Sequence, residues 1–505
     1  MALAYETYEQ AAEEFSWEER WELFDGNRDS FNIAHECIDR HDDEMTAARV
    51  KFADGRTETY DIGTVRRQSG QFANALAETG IEKGDRVAVM LDPGLELYTS
   101  LFGNLKRGAV HVQMSPLYGS DSIAYRIEDS DADLLVTMAD KVDDIPETVD
   151  IDTLVVEEDL DGFLSGHPVE FDWETSADDI SVLQYTSGTT GRPSGTPMRH
   201  KTVTFVAVRM QFAYGLRPTD RFFCTSSPSW AHGLWMGTLG PLALGNTVGA
   251  YAGPFDVETV LEALEEFKIT NFTAAATALR QFINHPTLDR YDLSALKRVA
   301  TGGEKVDDWT QRELIERLGV SVSDVYGISE FGGIIMNYNG FDDWEVKLGS
   351  IGKPFPGFEV AVIDEDGATL PPGETGEIAV KRDGEWFRAG DLASMDEDGY
   401  YWFKGRKDDV IISAGYRIDP VEIEKSLLNH DNVLETAVTG VPDDNRGKIV
   451  KAYVKSNRPD TAEFRTELQE VVKADLGKHE YPREIEFVDA FPRTPDGTKI
   501  KRSEL

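Results

Sequence analysis

The sequence predicts an α/β protein: a large N-terminal body of two α/β subdomains plus a β-rich part, followed by a small α+β C-terminal domain. Three observations carry this. At 505 residues the chain exceeds what one core serves, so a body with smaller domains attached is expected. Short apolar runs alternate with stretches of helical spacing in two separate regions, the rhythm of parallel strands joined by covering helices. A charged joint, Gly405-Arg406-Lys407-Asp408-Asp409, then precedes a complete new set of strands and helices.

In the first region 87–91 reads as a strand, 95–106 as a helix, 109–114 as a strand, 122–129 as a helix and 134–137 as a strand. The second region repeats this with strand 222–225, helix 234–242, strand 247–250, helix 257–267 and strand 271–275. Residues 352–405 are strand-rich, alternating over 358–363, 377–381 and 400–403 and broken by Pro371-Pro372-Gly373 and Asp398-Gly399 turns. Beyond the joint come a strand, a helix at 420–428, strands at 433–441 and 450–455, and a helix at 461–476. The boundary therefore falls between a body, 1–407, and a C-terminal domain, 408–505. No internal repeat or low-complexity tract interrupts the pattern.

With 92 acidic and 51 basic residues the chain carries −41, a charge that repels nucleic acid and anionic lipid. Any nucleotide site must then be locally basic. The acidic residues are scattered and Arg outnumbers Lys, which points to a hydrated surface suited to a halophile's cytoplasm. The plain alternative is an acidic mesophilic protein kept soluble by self-repulsion. Cys37 and Cys224 form no metal or redox spacing and are expected to be buried and reduced, as in a cytosol. Residues 1–25 carry Glu and Asp where a signal peptide carries Lys or Arg, and no stretch approaches a membrane span, so neither export nor membrane insertion is expected. Nothing sets the oligomeric state.

The most informative stretch is Tyr185-Thr186-Ser187-Gly188-Thr189-Thr190-Gly191-Arg192-Pro193-Ser194-Gly195, which directly follows an apolar run. Its glycines let successive N–H groups converge, and the hydroxyls of Thr186, Ser187, Thr189 and Thr190 add donors, making a phosphate cradle. It lacks the Gly-Lys-Ser/Thr ending of a Walker loop, so that type of hydrolysis is not indicated. An ordinary Ser/Gly/Thr-rich surface loop is the alternative for a shorter run.

This stretch resembles the signature Tyr-Thr-Ser-Gly-Thr-Thr-Gly-x-Pro-Lys-Gly of the adenylate-forming superfamily of acyl-CoA synthetases, luciferases and peptide-synthetase adenylation domains. Further motifs recur in family order across essentially the whole chain. Thr301-Gly302-Gly303-Glu304 is similar to the adenine-side turn, and Tyr326-Gly327-Ile328-Ser329-Glu330 resembles Tyr-Gly-x-Thr-Glu. The resemblance implies that the Tyr326 ring lies against adenine, Ser329 meets the α-phosphate and Glu330 holds Mg²⁺. One carboxylate with substrate phosphates is a set that Mg²⁺ accepts.

Arg388-Ala389-Gly390-Asp391 resembles the Thr-Gly-Asp motif, which implies that Asp391 binds the ribose hydroxyls. The joint and Ser413-Ala414-Gly415-Tyr416-Arg417-Ile418 resemble the hinge and first turn of a mobile C-terminal domain. That match makes Asp408 the pivot, puts Arg406 at the ribose or phosphates and Arg417 near the α-phosphate, and leaves a CoA path beside Gly415 and Tyr416. Phe491-Pro492-Arg493-Thr494-Pro495-Asp496-Gly497-Thr498-Lys499-Ile500-Lys501-Arg502 resembles Leu-Pro-Lys-Thr-x-x-Gly-Lys-Ile-x-Arg. Lys499 is then the lysine on the reacting α-phosphate, with Lys501 the runner-up. Three departures stand out: Ser194 replaces the family lysine, with Arg192, Lys201 or the metal as substitutes; Thr498 replaces a glycine after one extra residue; and Glu480 replaces a lysine in His479-Glu480-Tyr481-Pro482-Arg483.

The resemblance implies an AMP-forming acyl-CoA synthetase using ATP, Mg²⁺, coenzyme A and a small carboxylic acid. Catalysis then falls to Lys499, Thr186, Glu330 and Arg417, and nucleotide binding to residues 186–191, Gly303, Glu304, Tyr326, Gly327, Ser329, Glu330, Asp391, Arg406, Arg417 and Lys499. Trp230-Ala231-His232-Gly233-Leu234-Trp235 sits where the family places its acyl pocket, so Trp230, His232 and Gly327 are expected to line it; core packing is the equal alternative for the tryptophans. Acetyl-CoA synthetases carry Trp at the Gly327 position, so the pattern looks closest to medium-chain synthetases of fatty acid metabolism. Residues 31–41 also resemble the acetyl and propionyl enzymes. A stand-alone adenylation domain and a catalytically decayed nucleotide-binding relative are the remaining readings.

Overall fold

The computed structural model describes residues 3, 5–186, 194–302, 306–328, 331–407, 409, 411–413, 416–443, 447–476, 480–493 and 500–505. They form two compact units. One comprises Met1–Ala4, Ser16–Ala274 and Thr287–Lys297; the other Tyr5–Phe15, Ala275–Pro286 and Arg298–Leu505.

The first unit is built on the two predicted rhythms. A six-stranded sheet runs in the order Asp152–Val155, Leu134–Thr137, Arg86–Met90, Val110–Gln113, Ile180–Thr186, Ser194–Arg199. Its strands are parallel except for the final antiparallel hairpin. Val87 and Val89 face one core with Phe72, Leu97 and Leu160, whereas Ala88 and Met90 face another with Val112, Ile123 and Ile127. Burial on both faces is why 87–91 reads as an unbroken apolar run. The helix Leu95–Arg107 closes on Gly108 at φ 77°, with Lys106 and Arg107 in its last turn against the helix dipole. A second group of strands lies side by side as Asn271–Thr273, Arg221–Cys224, Thr247–Ala252, Thr46–Phe52 and Thr57–Asp61.

In the second unit, Arg298–Gly302 pairs parallel with Val322–Ile328, which pairs antiparallel with Gly332–Met336. The strand-rich part is a four-stranded antiparallel sheet, Val360–Ile363, Thr375–Arg382, Glu385–Met395, Tyr401–Arg406. The C-terminal part packs helices Pro420–Leu428 and Ala462–Asp475 on the three strands Val433–Asp443, Gly447–Ser456 and Glu484–Phe487, around Ile423, Leu427, Val450, Phe464 and Leu468. The protein is thus a mixed α/β chain with a large N-terminal body and a smaller C-terminal domain. Glu385–Met395 and Glu484–Phe487 are strands that the sequence pattern did not announce. Cys37 and Cys224 are free and buried, as expected, and burial pushes the Cys224 thiol up to about 12. No helix among the described residues is long and apolar enough to cross a membrane.

Candidate active site

Ser187, Gly188, Thr189, Thr190, Gly191, Gly303, Glu304, Ser329, Glu330, Asp408, Gly415 and Lys499 lie outside the described residues, and Thr186, Tyr416 and Arg417 are described in their backbone alone. The remaining predicted residues fall in both units, and each group is built within its own.

In the first unit the glycine-rich segment joins the two strands of a hairpin whose last register pair is Thr186 with Ser194. Strands of opposite direction joined by a short segment bring both its ends to one edge of the sheet. Tyr185 anchors that edge: its hydroxyl donates to Asp129 at 2.8 Å, and the Arg126 guanidinium lies 5.3 Å from its ring centre. Gln184 accepts a hydrogen bond from Trp235 Nε1 at 2.9 Å, a contact that no motif indicated. Lys201 follows the far end of the hairpin, where Ile180 pairs with Arg199, and its ammonium is bound to Asp178.

The predicted pocket helix begins earlier than expected and is wound differently. Residues His232–Leu239 form a π-helix that runs into the α-helix Gly240–Ala243. An extra residue per turn re-aims side chains, and such turns gather at functional sites. Gly233 is dictated by space, because a Cβ there would lie 2.0 Å from the Ser227 carbonyl oxygen. His232 Nε2 lies 3.2 Å from Thr273 Oγ1, and burial pushes its imidazole down to about 4, so it is neutral at physiological pH. Trp230 stands edge-on to Tyr118, ring centres 5.6 Å apart at 88°, while Trp235 is buried. Of the two tryptophans, the half-buried Trp230 keeps a surface to present, whereas Trp235 packs and tethers Gln184.

The second unit brings three predicted residues together. The Tyr326 hydroxyl donates to Asp391 Oδ2 at 2.6 Å, and Arg406 Nε lies 3.8 Å from Asp391 Oδ1. Asp391 and Arg406 are direct register partners across two strands, beside a bulge between Asp391 and Ala393. A bulge turns a side chain out of strict alternation. Gly390 permits the turn into it at φ 77°. Behind the cluster, Glu377 accepts from Arg388 at 2.8 Å, from Lys407 at 3.2 Å and from the Gly390 N–H at 3.2 Å. Phe403 lies against Tyr326 with ring centres 5.8 Å apart. Burial and the neighbouring Asp391 charge raise the Tyr326 phenol well above its usual range, so it stays a donor. Arg406 remains largely exposed and can meet an anion. A ring, a carboxylate and a guanidinium brought together from three strands match the needs of a nucleoside phosphate: stacking, diol recognition and charge.

Gly327 has a backbone reason that sequence reading missed. It pairs with Gly333 at a bulge, and a Cβ on it would lie 2.3 Å from the Gly332 carbonyl oxygen. Lys501, the alternative phosphate lysine, is paired with Glu504 at 2.9 Å.

Comparison with known proteins gives this architecture a family. Residues 39–385 match the family described as AMP-binding enzyme, and 422–498 match the AMP-binding enzyme C-terminal domain. The chain belongs to the AMP-binding enzyme family. It is 33% identical to the uncharacterized acyl–CoA ligase YtcI of Bacillus subtilis (strain 168), covering 92% of this chain and 93% of that one. It is 30% identical to the acetyl-coenzyme A synthetase of the same organism, over 98% and 94% of the two chains. The crystal structure of Brucella canis acyl-CoA synthetase superposes with a TM-score of 0.78 at 31% identity, covering 99% and 98%. The chain is accordingly an AMP-forming acid–CoA ligase with ATP and CoA as substrates.

Proposed function

We propose that the enzyme activates a monocarboxylic acid of medium chain length or similar bulk. A carboxylate oxygen attacks the α-phosphorus of ATP and pyrophosphate leaves; the CoA thiol then attacks the acyl carbon, releasing AMP. Such chemistry needs positioning and charge stabilisation rather than a protein nucleophile. The observation that carries the nucleotide assignment is the Tyr326–Asp391–Arg406 cluster, which joins three separate motifs at one place.

Around that cluster Tyr326 stacks on adenine, which Gly303 and Glu304 also bind, Asp391 receives the ribose hydroxyls and Arg406 meets the phosphates. Thr186 and the segment through Gly191 grip the phosphates, Ser329 meets the α-phosphate, and Lys499 and Arg417 share the charge that develops there. Glu330 is the residue that would hold Mg²⁺, whose charge would help neutralise the phosphates when bound. The body 1–407 and the domain 408–505 swing about Asp408 between half-reactions, the second bringing Gly415 and Tyr416 to the CoA arm. Trp230, neutral His232 and Gly327 border the acyl group.

The medium-chain reading rests on Gly327, where acetyl-CoA synthetases carry tryptophan. Acetate or propionate is the second reading, favoured by the stretch 31–41 and by the similarity to a bacterial acetyl-coenzyme A synthetase. The acidic, arginine-favouring composition supports a cytoplasmic enzyme of a halophile. Pyrophosphate release measured in high KCl with acetate, butyrate, octanoate and benzoate tests the reading. Highest kcat/KM on octanoate or butyrate is expected, and a preference for acetate would replace it with the second reading.

A further inference from the structure

The strand Glu385–Met395 leaves the register of both neighbours where it reaches the nucleotide cluster. Against Thr375–Arg382 it pairs Arg388 with Ala379 and Leu392 with Glu377, so Ala389, Gly390 and Asp391 stand opposite Ile378 alone. On its other edge Asp391 pairs with Arg406 and Ala393 with Phe403, so Leu392 stands opposite Lys404 and Gly405. Surplus residues lose ladder partners and turn their side chains out of alternation. Asp391 is carried on this bulge, so its aim depends on what holds the bulge in place.

Glu377 holds it with both carboxylate oxygens. Oε1 accepts the Gly390 N–H at 3.2 Å, while Oε2 accepts Arg388 Nη1 at 2.8 Å and Lys407 Nζ at 3.2 Å. Gly390 is gripped from its other side as well, because its carbonyl accepts the Lys407 N–H at 3.0 Å. Arg388 is fixed in turn by the carbonyls of Asp364 and Glu365, at 3.0 and 2.9 Å from Nη2. One carboxylate thus ties together the residue that enters the bulge, the glycine within it and the residue after Arg406, the register partner of Asp391.

Burial in this group is uneven. The Glu377 side chain is 7% exposed, whereas those of Arg388 and Lys407 are 34% and 43% exposed. Either cation can keep its charge in water, so the pairs themselves add little stability. The carboxylate is the member that gives up water, a cost met only when its oxygens are bonded. Burial alone would raise its carboxyl, but the hydrogen bonds from Arg388 and Lys407 outweigh that and hold it below its ordinary range. A buried anion with both oxygens in use serves geometry.

We propose that Glu377 is a positioning residue for the nucleotide, fixing the 389–391 bulge so that the Asp391 carboxylate is aimed at the ribose hydroxyls. The inference rests on the reading of Asp391 as the ribose carboxylate. Glu377 touches neither the nucleotide nor the acid; it acts through the backbone of Gly390.

The test compares ATP with 2′,3′-dideoxyATP in the full-length enzyme, by pyrophosphate release at saturating concentration of the best acid of the panel. The wild-type enzyme should favour ATP by about 100-fold in kcat/KM, about tenfold for each hydroxyl bonded to a charged oxygen. Glu377→Gln keeps the volume but offers one oxygen where two are in use. It is expected to raise KM for ATP about tenfold and to cut the preference for ATP to about a tenth, with kcat and KM for the acid within about threefold of wild type. A purely structural role would reduce turnover of both nucleotides alike, so an unchanged preference, with or without lost activity, would overturn the proposal. If Glu377→Gln does not fold, Glu377→Asp decides by the same criteria, since it keeps the charge and withdraws the oxygen from the Gly390 N–H. Asp391→Ala separates the two levels. A wild-type preference that survives Asp391→Ala would refute the ribose assignment itself, whereas a preference lost with Asp391→Ala and retained in the Glu377 variant would refute only the positioning role.

Discussion

Replacing Gly327 probes whether this glycine serves the acyl pocket, the backbone or both. A Cβ at 327 would lie 2.3 Å from the Gly332 oxygen, 2.6 Å from its carbonyl carbon and 2.8 Å from Gly333 Cα. Reaching an ordinary contact of about 3.4–4.0 Å requires the Gly332 carbonyl to retreat by about 1.1–1.7 Å. The obstacle is backbone, and Gly332 already sits at φ 68°, so the turn cannot yield as a flexible side chain would. Overpacking of this order costs about 1–3 kcal/mol. The displaced strand end also carries Tyr326, whose 2.6 Å bond to Asp391 lies one residue away. Gly327→Ala should therefore lower the denaturant midpoint and raise KM for ATP with every acid alike. Gly327→Trp should do both more strongly, adding any shift toward acetate on top. The assay is the four-acid pyrophosphate profile run beside denaturant unfolding in high KCl. A Gly327→Trp enzyme of wild-type stability and ATP affinity that simply prefers acetate would refute the backbone argument.

Three further outcomes are expected. Tyr326→Phe removes a hydrogen bond to a charged carboxylate and should raise KM for ATP about tenfold with little change in thermal stability, and an unchanged KM would detach Tyr326 from the nucleotide. Burial raises the Asp419 carboxyl from 3.8 to about 6, so the folded domain keeps a proton that the unfolded chain has lost; stability falls as pH rises from about 4 to 6 and the deficit remains above that. Asn also caps the helix Pro420–Leu428, so Asp419→Asn should leave stability at pH 4 unchanged and raise it by on the order of 1–3 kcal/mol at pH 7.5, read by denaturant titration at the two pH values. Diluting KCl should lower the unfolding midpoint through self-repulsion of the −41 charge, and a salt-independent midpoint would count against the halophile reading.

What the sequence revealed followed burial. The strand around Val87 is apolar on both faces and announced itself, as did the helix Leu95–Arg107 through its spacing. Glu385–Met395 stayed hidden because it carries Arg388 and Asp391 toward partners rather than alternating toward a core. The π-wound stretch His232–Leu239 is apolar and glycine-rich throughout, so it offers no period from which its winding could be read. Tyr326, Asp391 and Arg406 were each found through motif resemblance, yet their meeting depends on a strand register and a bulge that no local pattern encodes. The Gln184–Trp235 bond joins residues 51 positions apart and likewise belongs to the tertiary fold alone.

The central claim, that the acid is activated by joining its own oxygen to the α-phosphorus, is tested most directly by isotope transfer. The enzyme is supplied with acid labelled with ¹⁸O in both carboxylate oxygens, ATP and CoA, and the products are resolved by mass spectrometry. One labelled oxygen in each AMP, with none in pyrophosphate, is the predicted result. Unlabelled AMP, or label appearing in inorganic phosphate alongside ADP, would contradict it.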